Sequence, residues 1–336
     1  MNILHLCDTP LSGAPLNLSM TLDRMDGVHY SKLISHRNKY APQSNMAYEH
    51  DIILSKGENN KEVKEHLKGV KPVVEYLFKT ADVIHCHNFL DTQKVFKFFP
   101  DNLKYLETKP VFMQFHSPRA SITEVDKIIQ DPRVDQRLVV AQFQARQFPE
   151  CIPVPNALPP YTSNFKDIQK FDKLRIGYAP SNTTLKGWND KGYKETSKIL
   201  RSIGRAFPFV EVDIITNTPH FDCMDRKARC HIFIDEVMTG SYHLNSLESL
   251  ALGSIVINNI DEHCENTLLK TTGANKHPFI KSDISSLQDT LISLCRVFEK
   301  DTIQIEEKMR ESLSFMNKYW TDEQVAQNYL DLYIKA

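Results

Sequence analysis

Short apolar runs alternate with longer amphipathic stretches along this chain. Ile3-Leu4-His5-Leu6-Cys7, Val83-Ile84-His85-Cys86 and Val111-Phe112-Met113-Gln114-Phe115 are nearly continuous apolar runs rather than strict apolar–polar alternations. Such runs mark strands covered on both faces. The pattern predicts strands at 3–7, 30–35, 51–54, 83–86, 111–115 and 138–141, and again at 174–178, 210–216, 231–234 and 254–258. Helical periodicity fills 61–78, 193–207, 244–252 and 285–300. Repeated strand–helix alternation predicts an α/β protein with parallel sheets and helices on both faces.

Proline sets the division. Phe148-Pro149-Glu150-Cys151-Ile152-Pro153-Val154-Pro155-Asn156-Ala157-Leu158-Pro159-Pro160 fits neither a regular helix nor a central strand. It reads as a linker over 150–170, after which a fresh strand begins at Leu174. A length of 336 residues favours two domains over one. The expected division is 1–155, 156–320, and a C-terminal helix at 321–336 that docks back on the first domain.

Composition narrows the class. Hydrophobic residues are 41% and charged residues 25%, with a formal net charge of −1, so no global basic field draws the chain to nucleic acid. Seven widely spaced cysteines do not form a disulfide framework and fit a reducing, cytoplasmic setting. No secretory signal is evident, and no apolar run approaches the ~18 residues of a membrane span.

In an open parallel sheet, ligands bind at the carboxyl ends of the strands, where loops lead into helix N-termini. Three loops there carry chemistry. Asp8-Thr9-Pro10-Leu11-Ser12-Gly13-Ala14-Pro15 follows the first strand; Gly13 admits close backbone approach and a helix start offers N–H groups to phosphate. A plain strand–helix turn accounts for it equally. At the end of Val111–Phe115 stands His116, followed by Ser117-Pro118-Arg119; an imidazole there can bond a sugar hydroxyl or move a proton, or simply cap a strand. In the second half, Ala179-Pro180-Ser181-Asn182 leads to Lys186-Gly187, where an ammonium can stabilise a departing diphosphate. Beyond it, the loop through Gly240-Ser241-Tyr242 enters a helix at Leu244, with N–H groups for phosphate, and Glu248 can accept a ribose diol or be an exposed helix carboxylate.

These residues together resemble the GT-B glycosyltransferases, specifically the retaining family called GT4. The pieces are Ile3-Leu4-His5-Leu6 with Gly13, Asp82-Val83-Ile84-His85-Cys86-His87, Phe115-His116, Val154-Pro155-Asn156, Lys186-Gly187, and Leu247-Glu248-Ser249-Leu250-Ala251-Leu252-Gly253-Ser254-Ile255-Val256-Ile257. Ala179-Pro180-Ser181-Asn182 with Lys186-Gly187 is similar to a bacterial and phage sub-branch. The resemblance implies two Rossmann-like doubly wound domains facing across a cleft. It places His116 at the sugar, Lys186 on the donor diphosphate, Glu248 on the ribose, Gly13 near the phosphates and the base near Thr216. It implies retention without a metal or other cofactor. Donor contacts are then expected from Gly13, Ser181, Asn182, Lys186, Gly187, Thr216, Gly240, Ser241, Tyr242, Leu244 and Glu248, and acceptor contacts from His87, Asn88 and Arg119.

Two family positions differ. The glutamate usually eight residues before the ribose-binding one is Gly240, and the arginine five before the lysine is Ser181. Asn182, Lys191, Arg24 or Arg119 are candidates to complete the phosphate clamp. His85 and His87 share a strand face as a chelate would; the alternative is a strand end with His87-Asn88 reaching the acceptor. The sequence leaves the donor as UDP- or GDP-linked. The expected acceptor is a surface glycan, which would place the enzyme in the cytoplasm or peripherally at the inner membrane. The alternatives are a hydroxymethylated pyrimidine of DNA, for a phage enzyme in host cytoplasm, and a catalytically silent nucleotide-binding protein.

Overall fold

The computed structural model describes residues 1–9, 11–36, 51–162, 172–180 and 192–336. The chain forms two compact units, one of Met1–Pro160 with Asp322–Ala336 and one of Tyr161–Thr321. The changeovers fall at 160/161 and 321/322, against the 155/156 and 320/321 read from the sequence.

The first unit holds a seven-stranded sheet: β1 (Asn2–Cys7), β2 (Tyr30–Ser35), β3 (Asp51–Ile53), β4 (Val83–His87), β5 (Val111–Phe115), β6 (Gln136–Val140) and β7 (Ile152–Val154). Their order is β3-β2-β1-β4-β5-β6-β7, and every pairing is parallel. The order reverses between β1 and β4, which makes the loops after those two strands the switch point where ligands bind in such sheets. Register sets His5 beside His85 and His87 beside Gln114. The chain's β7 corrects the linker reading. Pro153 cannot donate to a ladder, yet at the sheet edge it need not, and Ile152–Val154 pair with β6 alone.

Helices cover both faces of this sheet. They are α1 (Ala14–Leu22), α2 (Asn60–Thr80), α3 (Lys94–Phe98), α4 (Tyr105–Thr108), α5 (Val125–Gln130) and, from the far end of the chain, α12 (Asp322–Tyr333). Asn59 caps α2, its Oδ1 accepting from the N–H groups of Lys61 and Glu62 at 3.0 and 3.1 Å, while the Glu62 carboxylate accepts from Glu58 N–H at 2.8 Å. That reciprocal arrangement satisfies donors that every helix start leaves free. On α12, the hydroxyl of Tyr333 meets His85 Nδ1 at 2.6 Å, and that of Tyr329 donates to Pro155 O at 2.8 Å while accepting from Gln114 Nε2 at 3.1 Å.

The second unit has five parallel strands, β8 (Leu174–Tyr178), β9 (Val210–Ile214), β10 (Ile232–Ile234), β11 (Ile255–Asn258) and β12 (Ile280–Lys281), in the order β12-β11-β10-β8-β9. Here the reversal lies between β8 and β10. Its helices are α6 (Tyr193–Ala206), α7 (His220–Ala228), α8 (Leu244–Ala251), α9 (Glu262–Thr272), α10 (Leu287–Lys300) and α11 (Thr302–Tyr319). α10 buries Leu287, Leu291, Leu294, Cys295 and Phe298 on one face. At ~1.5–3 kcal/mol for each large apolar side chain, that stripe holds the helix to the sheet. Both units are doubly wound α/β folds of the Rossmann type. Among the described residues no helix is long and apolar enough to cross a membrane.

Candidate functional site

In the first unit the ends of β4 and β5 bring His87, Asn88 and His116 together, next to a row of histidines. After β1 the backbone turns sharply: Leu11, Ser12 and Gly13 have φ of 46, 57 and 81°. Only glycine adopts that region without cost, and strain of this kind, ~1–3 kcal/mol at a non-glycine residue, collects at ligand-binding loops. Gly13 then caps α1, with Pro15 in its first turn. Asp8 fixes the loop, its Oδ1 accepting from Lys94 N–H at 2.8 Å.

His116 emerges half-buried from the end of β5. Its N–H donates to Asn88 Oδ1 at 2.8 Å, its carbonyl accepts from Gln144 Nε2 at 2.9 Å, and its Nε2 lies 2.9 Å from His87 Nδ1. His87 was expected to reach an acceptor directly; instead its ring is wholly buried, between His116 on one side and His5 Nδ1, 3.2 Å away, on the other. Asn88, also expected at the acceptor, is buried and spans His116 and Ser117 Oγ, which it bonds at 2.9 Å. Arg119 is committed too: its guanidinium meets Glu150 at 2.5 Å, Asp126 at 2.6 Å and Gln147 O at 3.0 Å. Burial holds the His116 imidazole down to about 3, and the same cause, reinforced by the neighbouring histidines, keeps His85 and His87 well below the usual histidine range. All three are neutral at physiological pH.

His5, His85 and His87 bring ring nitrogens within 4.8 Å of one another. The rings of His85 and His87, however, stack at 4.4 Å with planes 20° apart, so their in-plane lone pairs run side by side rather than converging. A tetrahedral ion needs converging nitrogens about 2.0–2.1 Å from it. Among the three, His5 and His87 are joined by a hydrogen bond and His85 stacks on His87.

In the second unit the loop after β10 is built by two buried acids. Asp235 accepts from His243 N–H at 2.9 Å, Ser246 Oγ at 2.7 Å and Asn245 Nδ2 at 3.2 Å. Glu236 accepts from the N–H groups of Met238 and Thr239 and from Thr239 Oγ1. The loop then passes through Gly240, at φ 75°, into α8. A Cβ on Gly240 would stand 2.7 Å from Asp261 Oδ2, and Asp261 is the cap of α9. A side chain at 240 would therefore sit on left-handed backbone and have to displace the Asp261 carboxylate. Ser241 and Tyr242 are buried, Tyr242 against the ring of Phe279, so toward a ligand these residues offer backbone rather than side chain.

Glu248, on the second turn of α8, is 3% exposed and has two partners. Its Oε1 lies 2.9 Å from His220 Nε2, and its Oε2 accepts from the buried Lys227. His220 Nδ1 in turn meets the Tyr161 hydroxyl. Burial by itself would raise the Glu248 pKa; the charges of Lys227 and His220 outweigh it and hold the carboxyl down at about 2. Thr216 follows β9, with its carbonyl accepting from Thr218 Oγ1 at 2.9 Å. Ser181, Asn182, Lys186 and Gly187 lie outside the described residues.

His5, Asp235, His220 and Lys227 were missed by sequence reasoning. His5 carried a signal: one polar residue inside an apolar strand must find partners when buried. Lys227 carried none, because Asp225-Arg226-Lys227-Ala228-Arg229 looks like solvated surface.

No protein-family model and no curated protein matches the chain. Solved structures do. An α-glucosyltransferase in complex with UDP-glucose and DNA containing an abasic site is similar over 99% of this chain and 99% of its own, with TM-score 0.65 and 11% identity. Sucrose-phosphate synthase from Thermosynechococcus elongatus is similar over 100% and 99%, with TM-score 0.59 and 11% identity. The Anabaena protein HepE in complex with UDP and glucose is similar over 100% of both chains, with TM-score 0.59 and 9% identity. The chain has the GT-B fold of these glycosyltransferases.

Proposed function

We propose that the protein is a retaining, metal-independent glycosyltransferase that moves a sugar from a UDP- or GDP-linked donor to a hydroxyl acceptor. The observation that carries this is Glu248: a carboxylate held ionised on α8, directly behind a loop at the carboxyl edge of a doubly wound sheet, next to its switch point. Each carboxylate oxygen has two lone-pair sites. Lys227 and His220 use one on each oxygen, and one on each remains for the two hydroxyls of a ribose. The N–H groups at Gly240, Ser241 and the start of α8 suit a phosphate.

Chemistry then follows from charge. As the anomeric C–O bond to the diphosphate breaks, negative charge collects on the departing phosphate, and Lys186 with the helix N-terminus stabilises it. The acceptor oxygen bonds the anomeric carbon from the face the phosphate leaves, and its proton passes to the leaving phosphate oxygen. His116 is the residue we assign to a sugar hydroxyl.

One observation favours a second acceptor beside a surface glycan. The likeness to the glucosyltransferase solved with UDP-glucose and abasic DNA runs end to end in both chains. A hydroxymethylated pyrimidine in DNA is therefore the second reading. Titration with UDP, GDP and their sugars followed by transfer assays decides. Binding of a nucleotide sugar that depends on Glu248, with transfer that survives EDTA, supports the proposal; no binding of any nucleotide sugar, or loss of transfer on chelation, overturns it. Steep loss of acceptor affinity with salt marks DNA, and a flat response marks a neutral glycan.

A further inference from the structure

His5, His85, His87 and His116 of the first unit form a cluster larger than one sugar contact requires, and three of them are linked in single file. His116 Nε2 faces His87 Nδ1 at 2.9 Å, His87 Nε2 faces His5 Nδ1 at 3.2 Å, and His5 Nε2 faces Ser31 Oγ at 3.1 Å. A neutral imidazole has one N–H and one lone pair, on opposite nitrogens, so fixing one link fixes them all.

The direction is set at the far end. The Ser31 hydroxyl donates to Ser19 Oγ at 3.3 Å, so toward His5 it presents a lone pair. His5 therefore carries its proton on Nε2 and accepts at Nδ1. His87 donates from Nε2 into that lone pair and accepts at its own Nδ1, and His116 donates from Nε2. This leaves the Nδ1 of His116, to which no described group bonds, as a bare acceptor. The Nε2 contact with His87 sets which edge of the ring faces inward.

We infer that His5 and His87 are positioning residues that hold His116 in the Nε2–H tautomer, so that its Nδ1 accepts a hydrogen bond from a substrate hydroxyl. The hydroxyl belongs to the donor sugar, and that half rests on the glycosyl-transfer reading; the tautomer half does not. A ring locked this way accepts from a hydroxyl and cannot donate to a carbonyl or a phosphate. It selects for a free sugar hydroxyl at that position. His85 stands outside the file: it stacks on His87, and its Nδ1 meets Tyr333.

The test is nitrogen-15 NMR of the full chain labelled at histidine, without ligand, near neutral pH, with His116 assigned by the signals that His116→Gln removes. Expected is a protonated Nε2 and bare Nδ1 at His116, His87 and His5. A proton on Nδ1 of His116, or a mixture of tautomers, overturns the inference. His5→Phe removes the acceptor for His87 Nε2–H. That proton relocates to Nδ1, and His116 follows by moving its own to Nδ1. Its signals are expected to switch, with kcat/KM falling about 10-fold or more, the loss of one hydrogen bond. If His5→Phe does not fold, Ser31→Ala serves: unfixing the end should populate the second tautomer at His116. A switch in tautomer with unchanged kcat/KM overturns the acceptor role of Nδ1. The expected tautomers in a chain that binds no nucleotide sugar sink the glycosyl-transfer reading and leave the lock standing.

Discussion

His220 Nε2 lies 2.9 Å from Glu248 Oε1, so the carboxylate assigned to ribose is held from one side by a histidine and from the other by the buried Lys227. Two roles therefore meet in one residue. Glu248→Ala strands the Lys227 ammonium in the interior, and removing one partner of a buried pair costs about 3–5 kcal/mol. Its effect on nucleotide binding is then confounded with unfolding. Replacing the pair together, Glu248→Leu with Lys227→Met, is expected to restore most of the stability without restoring nucleotide binding. Thermal melts and UDP or GDP titrations of the single and double variants check this. A double variant that binds nucleotide as the parent does would remove Glu248 from the donor site.

Gly240 makes a second prediction. Its φ of 75° and the 2.7 Å from a Cβ built there to Asp261 Oδ2 set any side chain against the Asp261 carboxylate on left-handed backbone. Gly240→Glu is expected to destabilise the second unit by about 2 kcal/mol or more and to leave donor affinity no tighter. A melting curve and a donor titration read both; a stable variant with tighter binding would show that the loop accommodates a side chain there.

The buried ionisable groups predict how the units respond to acid. Burial depresses His85, His87 and His116, which are neutral when folded and take up protons once unfolded. Such groups stabilise the fold above the unfolded histidine pKa, about 6.5, and that stability is lost as pH falls below it, by as much as ~4 kcal/mol per pH unit for three together. In the second unit His277 is lowered in the same way. Its Glu248, held near 2, withdraws stability only as pH falls from about 4.5 toward 2. The first unit should thus fail first on mild acidification. Trp320 is buried in the second unit, so the change in its fluorescence follows that unit while far-ultraviolet dichroism follows both. Dichroism is expected to fall at higher pH than fluorescence; coincident transitions would contradict the assignment.

Lys186→Ala is expected to lower turnover by on the order of 10²-fold with substrate KM changed much less, because the ammonium acts on charge that develops as the diphosphate leaves. Steady-state rates on a folded variant measure it. Equal turnover would exclude the lysine from leaving-group stabilisation.

Most strands and the long helices were legible because a buried parallel strand is written as a local apolar run, and an amphipathic helix as a local period. The β7 edge strand was not, since proline obscures a strand whose edge position alone makes it tolerable. The candidate site divides along the same line. Gly13, His116, Gly240 and Glu248 could be found because each sits at a fixed offset from a strand end. The partners of those residues could not. Lys227 reaches Glu248 from a different helix, and His5 reaches His116 through an imidazole on a neighbouring strand. Their roles are properties of three-dimensional neighbours. The same holds for His87 and Asn88, whose strand-end position suggested contact with acceptor while their burial makes them supports.

The placement of α12 has a consequence for biosynthesis. The ring nitrogen of His85 and the amide of Gln114 receive their tyrosine partners only from residues 329 and 333. A nascent chain that has emerged as far as residue 160 has every strand of the first sheet, and α1 over Cys7 and Leu33, but not the helix that meets His85 and Gln114. Domains ordinarily mature in the order the ribosome delivers them. Here the later unit, 161–321, is complete first, and the earlier one must wait, with its histidines and apolar surface open to chaperones, until the last helix is translated.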